Sequence, residues 1–575
     1  MTQTIFLQRT KEGEPKRIAV RCAFSDKERV KKAGSGTARW SKSESVWTVP
    51  PDPVLLKRLL KVFPDATILP DLRQYMDKLL DKQNAIYVSS DMSEPISPDS
   101  KLFPYQNKSV RILETAGSII LGHRMGLGKT PIACVGLDYV GARKVIIVCP
   151  SSVKWSWVDH IIKWAGRTDL YVLESGVVKT DLATVIHKDR EDFLHQFLST
   201  EREFVLLMSY DMMRMYKDIL CLTDYDVIIF DEAHRLKNRK AATTQAAQEV
   251  CKNVEKKWLL TGTPIRNSYV DVFTLLTIID PVRFGSYWNF VNTYLDTVPN
   301  LYGGTDIIGL TSEEEFNSMM SVYMYRLTQE DVYEDLPPTI YSDLKMPMGS
   351  KQLGIYSEME EELLVAFDKE LADGKTVSQI VSAPNTVAQL IRLRQICLSP
   401  ALIGGPEVSA KLDMLSDLVE DLVAQDEKFI IFSYFREFIK LVAELLDSRG
   451  IKYGEIVGGQ SSSARHKVQG QLTEGEIDVV IGTAQSMGEG MNLQVANTAI
   501  FTDIDWVPAN NEQAEQRIGH RGGVKKESPR IIRLYHPDTV ESDIWATCAR
   551  KERVISESIG TAETIRAMML RNGRQ

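Results

Sequence analysis

Two series of short apolar runs, separated by stretches with helical spacing, dominate the chain. Ser118–Gly122, Lys144–Cys149, Phe204–Met208, Asp226–Phe230 and Lys257–Leu260 are rich in Ile, Val, Leu and Phe, with little polar alternation. Parallel strands covered on both faces read this way. A second series follows at Phe429–Phe432, Asp478–Ile481, Thr498–Phe501 and Arg530–Leu534. Strands alternating with helices predict doubly wound α/β units, and two series predict two lobes with a cleft between them. Between the series, residues 350–398 read as mostly helical, with Glu358–Glu362 as a solvated acidic face. Upstream, Ala38-Arg39-Trp40 and Val46–Pro50 read as two short strands joined by a polar turn. Ser93–Ser100, rich in Ser, Pro and acids, reads as a linker. The expected division is a small α+β domain over 1–90, a first parallel-sheet lobe with a helical extension over 91–340, and a second lobe with a helical insertion over 341–575.

Composition fits that frame. At 575 residues and 43% hydrophobic, the chain can build the cores of roughly three or four domains. Its seven cysteines form no C-x-x-C pair and no His stands at zinc spacing, so they read as reduced core residues. The first residues lack the apolar segment of a signal peptide, and no apolar run approaches the roughly 18 residues of a membrane helix. The expectation is an intracellular protein with no membrane partner: cytoplasmic in a bacterial or phage-infected cell, or nuclear in a eukaryote. Charge is uneven, because residues 1–61 hold 14 Lys or Arg against 6 Asp or Glu while the whole chain sums to −8. Basic residues near Trp40 and Trp47 suit nucleic acid, through phosphate neutralisation and base stacking. They equally describe a small domain with Trp in its core and a solvated basic face, and both readings stay open at this stage.

The chemistry lies at the ends of the apolar runs. Met125-Gly126-Leu127-Gly128-Lys129-Thr130 follows the first strand and opens a helix, with Pro131 where a missing N–H costs little. Such a loop lets backbone N–H groups surround phosphate oxygens, while Lys129 reaches the outer phosphates and Thr130 ligates magnesium. The strict phosphate-loop pattern has Gly where this chain has His123. Asp231-Glu232-Ala233-His234 closes another strand: Asp231 is placed to hold magnesium through its water shell, and Glu232 to orient and deprotonate the attacking water. Each half supplies what the other lacks for splitting ATP.

Further segments extend these motifs. Phe103-Pro104-Tyr105-Gln106, Val148–Ser152, Ser209-Tyr210-Asp211, Thr261–Asn267, Leu393–Cys397, Gly488–Gln494 and Gln513–Arg517 stand in an order that resembles the Swi/Snf-type DNA translocases of helicase superfamily two, over roughly residues 100–555. The resemblance implies two RecA-like lobes with ATP between them and duplex or branched DNA across both, bound by a monomer. It implies that Gln106 reads adenine, that Met125–Thr130, Gly488 and Gly490 line the nucleotide site, and that Ser151, Ser152, Tyr210, Thr263, Arg266 and Asn267 couple nucleotide state to DNA. An arginine of the second lobe, Arg517 or Arg521, reaches the γ-phosphate. Two departures stand out. The family's Gln-Ala-x-x-Arg-x-x-Arg spaces its arginines by three, whereas Arg517 and Arg521 are four apart, and the family's Asp-Glu before the phosphate loop is His123-Arg124 here. Short segments, the Trp40/Trp47 region and Pro150–Trp157, are similar to compact annealing-helicase-like members. The alternatives are an ATP-switched DNA- or partner-binding protein with little turnover, and an RNA helicase.

Overall fold

A computed structural model describes residues 3–10, 15–91, 94–97, 100–124, 126–174, 180–200, 202–265, 268–299, 305–328, 331–332, 339–373, 384–487, 493, 495–506, 508–515, 517–518 and 528–549. The chain divides into two compact units, residues 1–332 and 333–575.

The first unit begins with a five-stranded mixed sheet of β1 (Thr4–Arg9), β2 (Pro15–Arg21), β3 (Arg39–Ser41), β4 (Val46–Val49) and β5 (Thr67–Ile68), in the order β3-β4-β2-β1-β5. Ile5, Leu7, Ile18, Val20 and Val49 from its strands pack on Leu55, Leu59 and Phe63 of the helix Pro53–Val62 and its C-cap, giving this module its own core. Trp40 and Trp47 pair across β3 and β4 with ring centroids 5.5 Å apart, Trp47 partly buried and Trp40 45% exposed.

A second sheet carries the main body of the unit: β6 (Ile119–Leu121), β7 (Lys144–Cys149), β8 (Leu170–Leu173), β9 (Thr184–Ile186), β10 (Phe204–Ser209), β11 (Tyr225–Asp231) and β12 (Val254–Leu260). A hairpin of β13 (Leu295–Pro299) and β14 (Thr305–Leu310) precedes β15 (Met324–Tyr325), which returns to the edge of that sheet. The order is β15-β6-β12-β11-β7-β10-β8-β9, parallel throughout. Alternate residues serve two cores: Ile146, Val148, Ile228 and Phe230 face one layer of helices, while Val145, Ile147, Val227 and Ile229 face the other. Both faces being apolar explains the unbroken hydrophobic runs.

The module and this body meet through buried polar groups. Asp52 caps the helix Pro53–Val62, its Oδ1 accepting from Val54 N–H at 2.8 Å. Its Oδ2 accepts from Arg283 Nε at 2.8 Å and from the Tyr294 hydroxyl at 2.7 Å. Nearby, Arg58 pairs with Glu315 at 2.5 Å and donates to the Thr293 carbonyl at 3.1 Å. The segment expected to be a linker is tied down too, since Arg111 donates to the Glu94 and Pro95 carbonyls at 2.6 and 3.2 Å.

The second unit holds β16 (Ile340–Lys345), β17 (Phe429–Ser433), β18 (Tyr453–Ile456), β19 (Val479–Thr483), β20 (Thr498–Phe501) and β21 (Arg530–Tyr535) in one parallel sheet, ordered β16-β21-β20-β17-β19-β18. The molecule is thus α/β, with two large parallel sheets and a small mixed sheet at the N-terminal end. Among the described residues, no helix is long and apolar enough to cross a membrane.

Candidate active site

The chemistry of the first unit gathers at the carboxyl ends of three neighbouring strands. Leu121 of β6 is in register with Leu260 of β12, and Leu260 with Asp231 of β11. At the usual strand spacing the ends of β6 and β11 lie about 10 Å apart, with β12 between them. The phosphate loop leaves β6, and Asp231 and Glu232 finish β11.

In the loop, Gly126 and Gly128 adopt φ values of +83° and +72°, which L side chains rarely take. At Gly128 a Cβ would also lie 2.3 Å from Gln106 Nε2, so a side chain there would have to displace the Gln106 amide. Gly128 caps the helix Lys129–Tyr139, whose first-turn N–H groups and positive dipole end suit an anion. Lys129 Nζ donates to the His123 carbonyl at 2.8 Å. Gln106, buried in the first turn of the helix Pro104–Ala116, takes a hydrogen bond from Phe103 N–H on Oε1 at 3.0 Å and donates from Nε2 to the Leu127 carbonyl at 3.3 Å. It therefore bridges that helix and the loop.

Opposite the loop, Asp231 Oδ2 accepts from Trp157 Nε1 at 2.9 Å and Oδ1 from Glu232 N–H at 3.0 Å. Burial first and the neighbouring Glu232 second raise the Asp231 carboxyl to about 6, while Trp157 and the charge of Lys129 oppose the rise. A carboxylate held in surplus negative charge close to a lysine suits a divalent cation and phosphates. Glu232 has φ +52°, a conformation that costs a residue with a Cβ about 1–2 kcal/mol. That turn brings Glu232 Oε2 to 3.2 Å from His234 Nδ1, which is also 3.3 Å from Thr261 Oγ1. Thr261 Oγ1 in turn accepts from Thr263 N–H at 3.2 Å. The acidic box is thereby wired to the turn after β12.

Tyr210 is buried, and its hydroxyl donates to the Asp231 carbonyl at 2.7 Å, so it faces the acidic strand end. Ser151 is exposed at the start of a short turn after β7. In the second unit the described helix Pro508–Glu515 ends before Arg517, which is mostly buried in the following turn, its N–H donating to the Ala514 carbonyl. Met125, Arg266, Asn267, Gly488, Gly490, Arg521 and the Ser152 side chain lie outside the described residues.

His234 and Trp157, which touch the acidic pair, and Thr261, which touches His234, were not assigned roles from sequence. His234 stood inside a recognised box, and Thr261 stood two residues before Thr263. Trp157 stood in the noted Pro150–Trp157 segment, but nothing local signalled its contact with an acid 74 residues away.

A phosphate loop and an acidic pair at strand ends one strand apart in a parallel sheet, followed by a second parallel-sheet unit, define a nucleotide hydrolase of the RecA-like class. The model of the SNF2-related domain matches residues 74–402, more than half of the chain, and that of the helicase conserved C-terminal domain matches residues 410–522. The chain belongs to the SNF2-related family of DNA-dependent ATPases. It is 27% identical over 460 residues to the SWI/SNF chromatin-remodeling complex subunit snf22 of Schizosaccharomyces pombe, covering 75% of this chain and 26% of that one. It is 27% identical over 507 residues to a DNA repair and recombination protein RAD54-like of Drosophila virilis, covering 80% and 63%. The match thus spans from a quarter to just under two thirds of the length of these relatives. A solved structure, the Sulfolobus solfataricus SWI2/SNF2 ATPase core in complex with dsDNA, aligns with 83% of this chain and 98% of its own at 21% identity and a TM-score of 0.37.

Proposed function

We propose that the chain is an ATP-driven translocase on double-stranded DNA that hydrolyses ATP between its two lobes to remodel protein–DNA complexes or branched DNA. The observation that carries this reading is the convergence of Lys129 and the Asp231–Glu232 pair at the carboxyl end of one parallel sheet, in a chain of the SNF2-related family. In this reading Lys129 and the N–H groups of the loop hold the phosphates, and Gln106 faces the base. Thr130 and Asp231 hold Mg2+, which supplies charge neutralisation on the phosphates when bound. Glu232 takes the proton of the attacking water, His234 orients its carboxylate, and Trp157 holds Asp231 in place. Arg517 or Arg521 neutralises charge that builds on the γ-phosphate, an effect of about 10³- to 10⁵-fold for arginine fingers. Met125, Gly488 and Gly490 complete the nucleotide site, and Ser151, Ser152, Tyr210, Thr263, Arg266 and Asn267 carry its state to DNA.

The module before residue 91 is proposed to recognise DNA structure, as in compact annealing-helicase-like enzymes of bacteria or phages. Supporting this, Trp40 is exposed beside exposed Arg39, and Lys31 Nζ lies 5.8 Å from the Trp47 ring. The departures at His123-Arg124 and at the second-lobe arginines favour a second reading, an ATP-switched binding protein with little turnover.

ATP turnover measured with no polymer, linear duplex, forked and four-way DNA, and duplex RNA separates the readings. Strong stimulation by duplex DNA is expected. Absence of turnover under every condition rejects the translocase, and stimulation by RNA alone makes the chain an RNA helicase. Deleting residues 1–90 is a poor test of the module, because it strips Asp52 from buried Arg283. Arg39→Ala with Trp40→Ala leaves that seam intact, and unchanged preference among the DNA forms would reject the recognition role.

A further inference from the structure

His123, which replaces an acid of the family pattern, is fully buried, and both ring nitrogens and its carbonyl are engaged. Nδ1 accepts from Leu327 N–H at 3.1 Å, so Nε2 carries the ring proton and donates to Ser109 Oγ at 2.8 Å. Ser109 in turn donates its hydroxyl hydrogen bond to the Tyr105 carbonyl at 2.7 Å, one residue from Gln106. The main-chain oxygen of His123 is the acceptor for Lys129 Nζ. On either side, Gly122 N–H donates to the Tyr325 carbonyl at 2.8 Å and Arg124 N–H to the Leu327 carbonyl at 2.9 Å, continuing the β6–β15 ladder toward the loop. The ring also packs edge-on against Tyr325, centroids 5.1 Å apart. Burial, then the charge of Lys129, lowers the imidazole to about 3, so it is neutral.

A neutral imidazole accepts on one nitrogen and donates on the other, which a buried carboxylate cannot do. The residue therefore joins three elements at one point: the helix that carries Gln106, the phosphate loop, and the strand by which the chain leaves the first unit. We propose that His123 is a positioning residue that ties occupancy of the phosphate loop to the hold on Leu327, and so transmits nucleotide binding to the segment leading into the second unit. The step is electrostatic. When phosphates draw the Lys129 ammonium, the His123 carbonyl must find a new partner or shift, and the ring shifts with it. This rests on Lys129 as the phosphate ligand of the function proposed above.

Two substitutions separate the two arms of the ring. Asn at 123 keeps an acceptor near the place of Nδ1, whereas Gln keeps a donor near the place of Nε2. Coupling contributions of single residues correspond to about 2- to 30-fold. The DNA-stimulated kcat of His123→Gln should fall within that range, with KM for ATP changing less than the rate, and His123→Asn should retain stimulation to within about twofold of wild type. Equal behaviour of the two variants overturns the proposal, since a merely structural role has no reason to distinguish them. Amide exchange at Leu327 provides a test in the unmodified protein. Its rate should differ by about threefold or more with and without a non-hydrolysable ATP analogue. The difference should persist in His123→Asn and vanish in His123→Gln. A Leu327 amide indifferent to nucleotide in the wild type refutes the relay. A wild type without DNA stimulation would sink the translocase reading instead, and the exchange measurement would still decide the relay.

Discussion

Replacing Asp52 by Ala is the sharpest test of how the N-terminal module is joined to the ATP-binding body. Asp52 and Arg283 are 4% and 6% exposed, so the guanidinium left behind would stay buried without its counter-charge. Breaking a buried pair from one side costs about 3–5 kcal/mol, and the lost cap of the helix Pro53–Val62 adds about 1 kcal/mol. For a unit of this size about 2 °C accompanies each kcal/mol, so its calorimetric transition should drop by roughly 8–12 °C. Adding Arg283→Met removes the orphaned charge and should recover at least about half of the loss, because apolar replacement of a buried ion pair is often near neutral. The reasoning fails if Asp52→Ala alone costs less than about 1 kcal/mol. It fails equally if residues 1–90 melt as a separate low-temperature transition while the body is unaffected, since that would make the module a tethered appendage.

Three other outcomes are expected. Glu232→Gln should bind ATP while kcat falls by about 10²- to 10⁴-fold, and Lys129→Ala should lose binding itself, as read by equilibrium titration beside turnover; normal hydrolysis by Glu232→Gln removes it as the base. Burial, then Glu232, raises the Asp231 carboxyl to about 6, so its proton stabilises the nucleotide-free fold below about pH 4 and that stability is lost as pH rises through 6. The urea stability of wild type relative to Asp231→Asn should accordingly decline by up to about 3 kcal/mol between pH 4.5 and 7.5, and a gap that does not change with pH contradicts the assignment. Arg533 Nη2 holds Glu515 at 2.5 Å, two residues before Arg517, with the guanidinium between the Tyr341 and Trp545 rings. Arg533→Met should therefore lower kcat about tenfold through misplacement of Arg517, with little change in DNA affinity measured by titration.

Much of the fold was legible because central parallel strands are buried on both faces. β7, β11 and β12 in the first sheet and β17, β19 and β20 in the second coincide with the apolar runs to within a few residues. Edge strands escaped notice. β9 and β15 have three and two residues, and β15 pairs with β6 across two hundred positions, so no local pattern announces it. The module's β1 and β2 were missed: β1 buries only Ile5 and Leu7, and β2 buries the consecutive Ile18, Ala19 and Val20 between Lys16, Arg17 and Arg21, so the two strands share no one period. At the site, local sequence marked Lys129, Asp231 and Glu232 as candidates, whereas Trp157 and the contact of His123 with Leu327 depend on packing between distant elements. The Trp40/Trp47 question divides between its two readings: Trp47 is partly covered, Trp40 stands out on the edge strand, and Arg17 is spent on Thr48 and the Thr37 carbonyl.

The Asp52–Arg283 bond spans 231 residues, a separation that also sets a clock. At about 5–20 residues per second, Arg283 emerges from the ribosome roughly 12–46 s after Asp52. For that interval the carboxylate has no partner, and the seam it closes stands open to water and to chaperones. The module's own core of Ile5, Ile18, Val20, Leu55 and Leu59 allows it to fold first and wait. Variants that slow elongation between these two residues should lengthen the exposure without altering any contact of the finished protein.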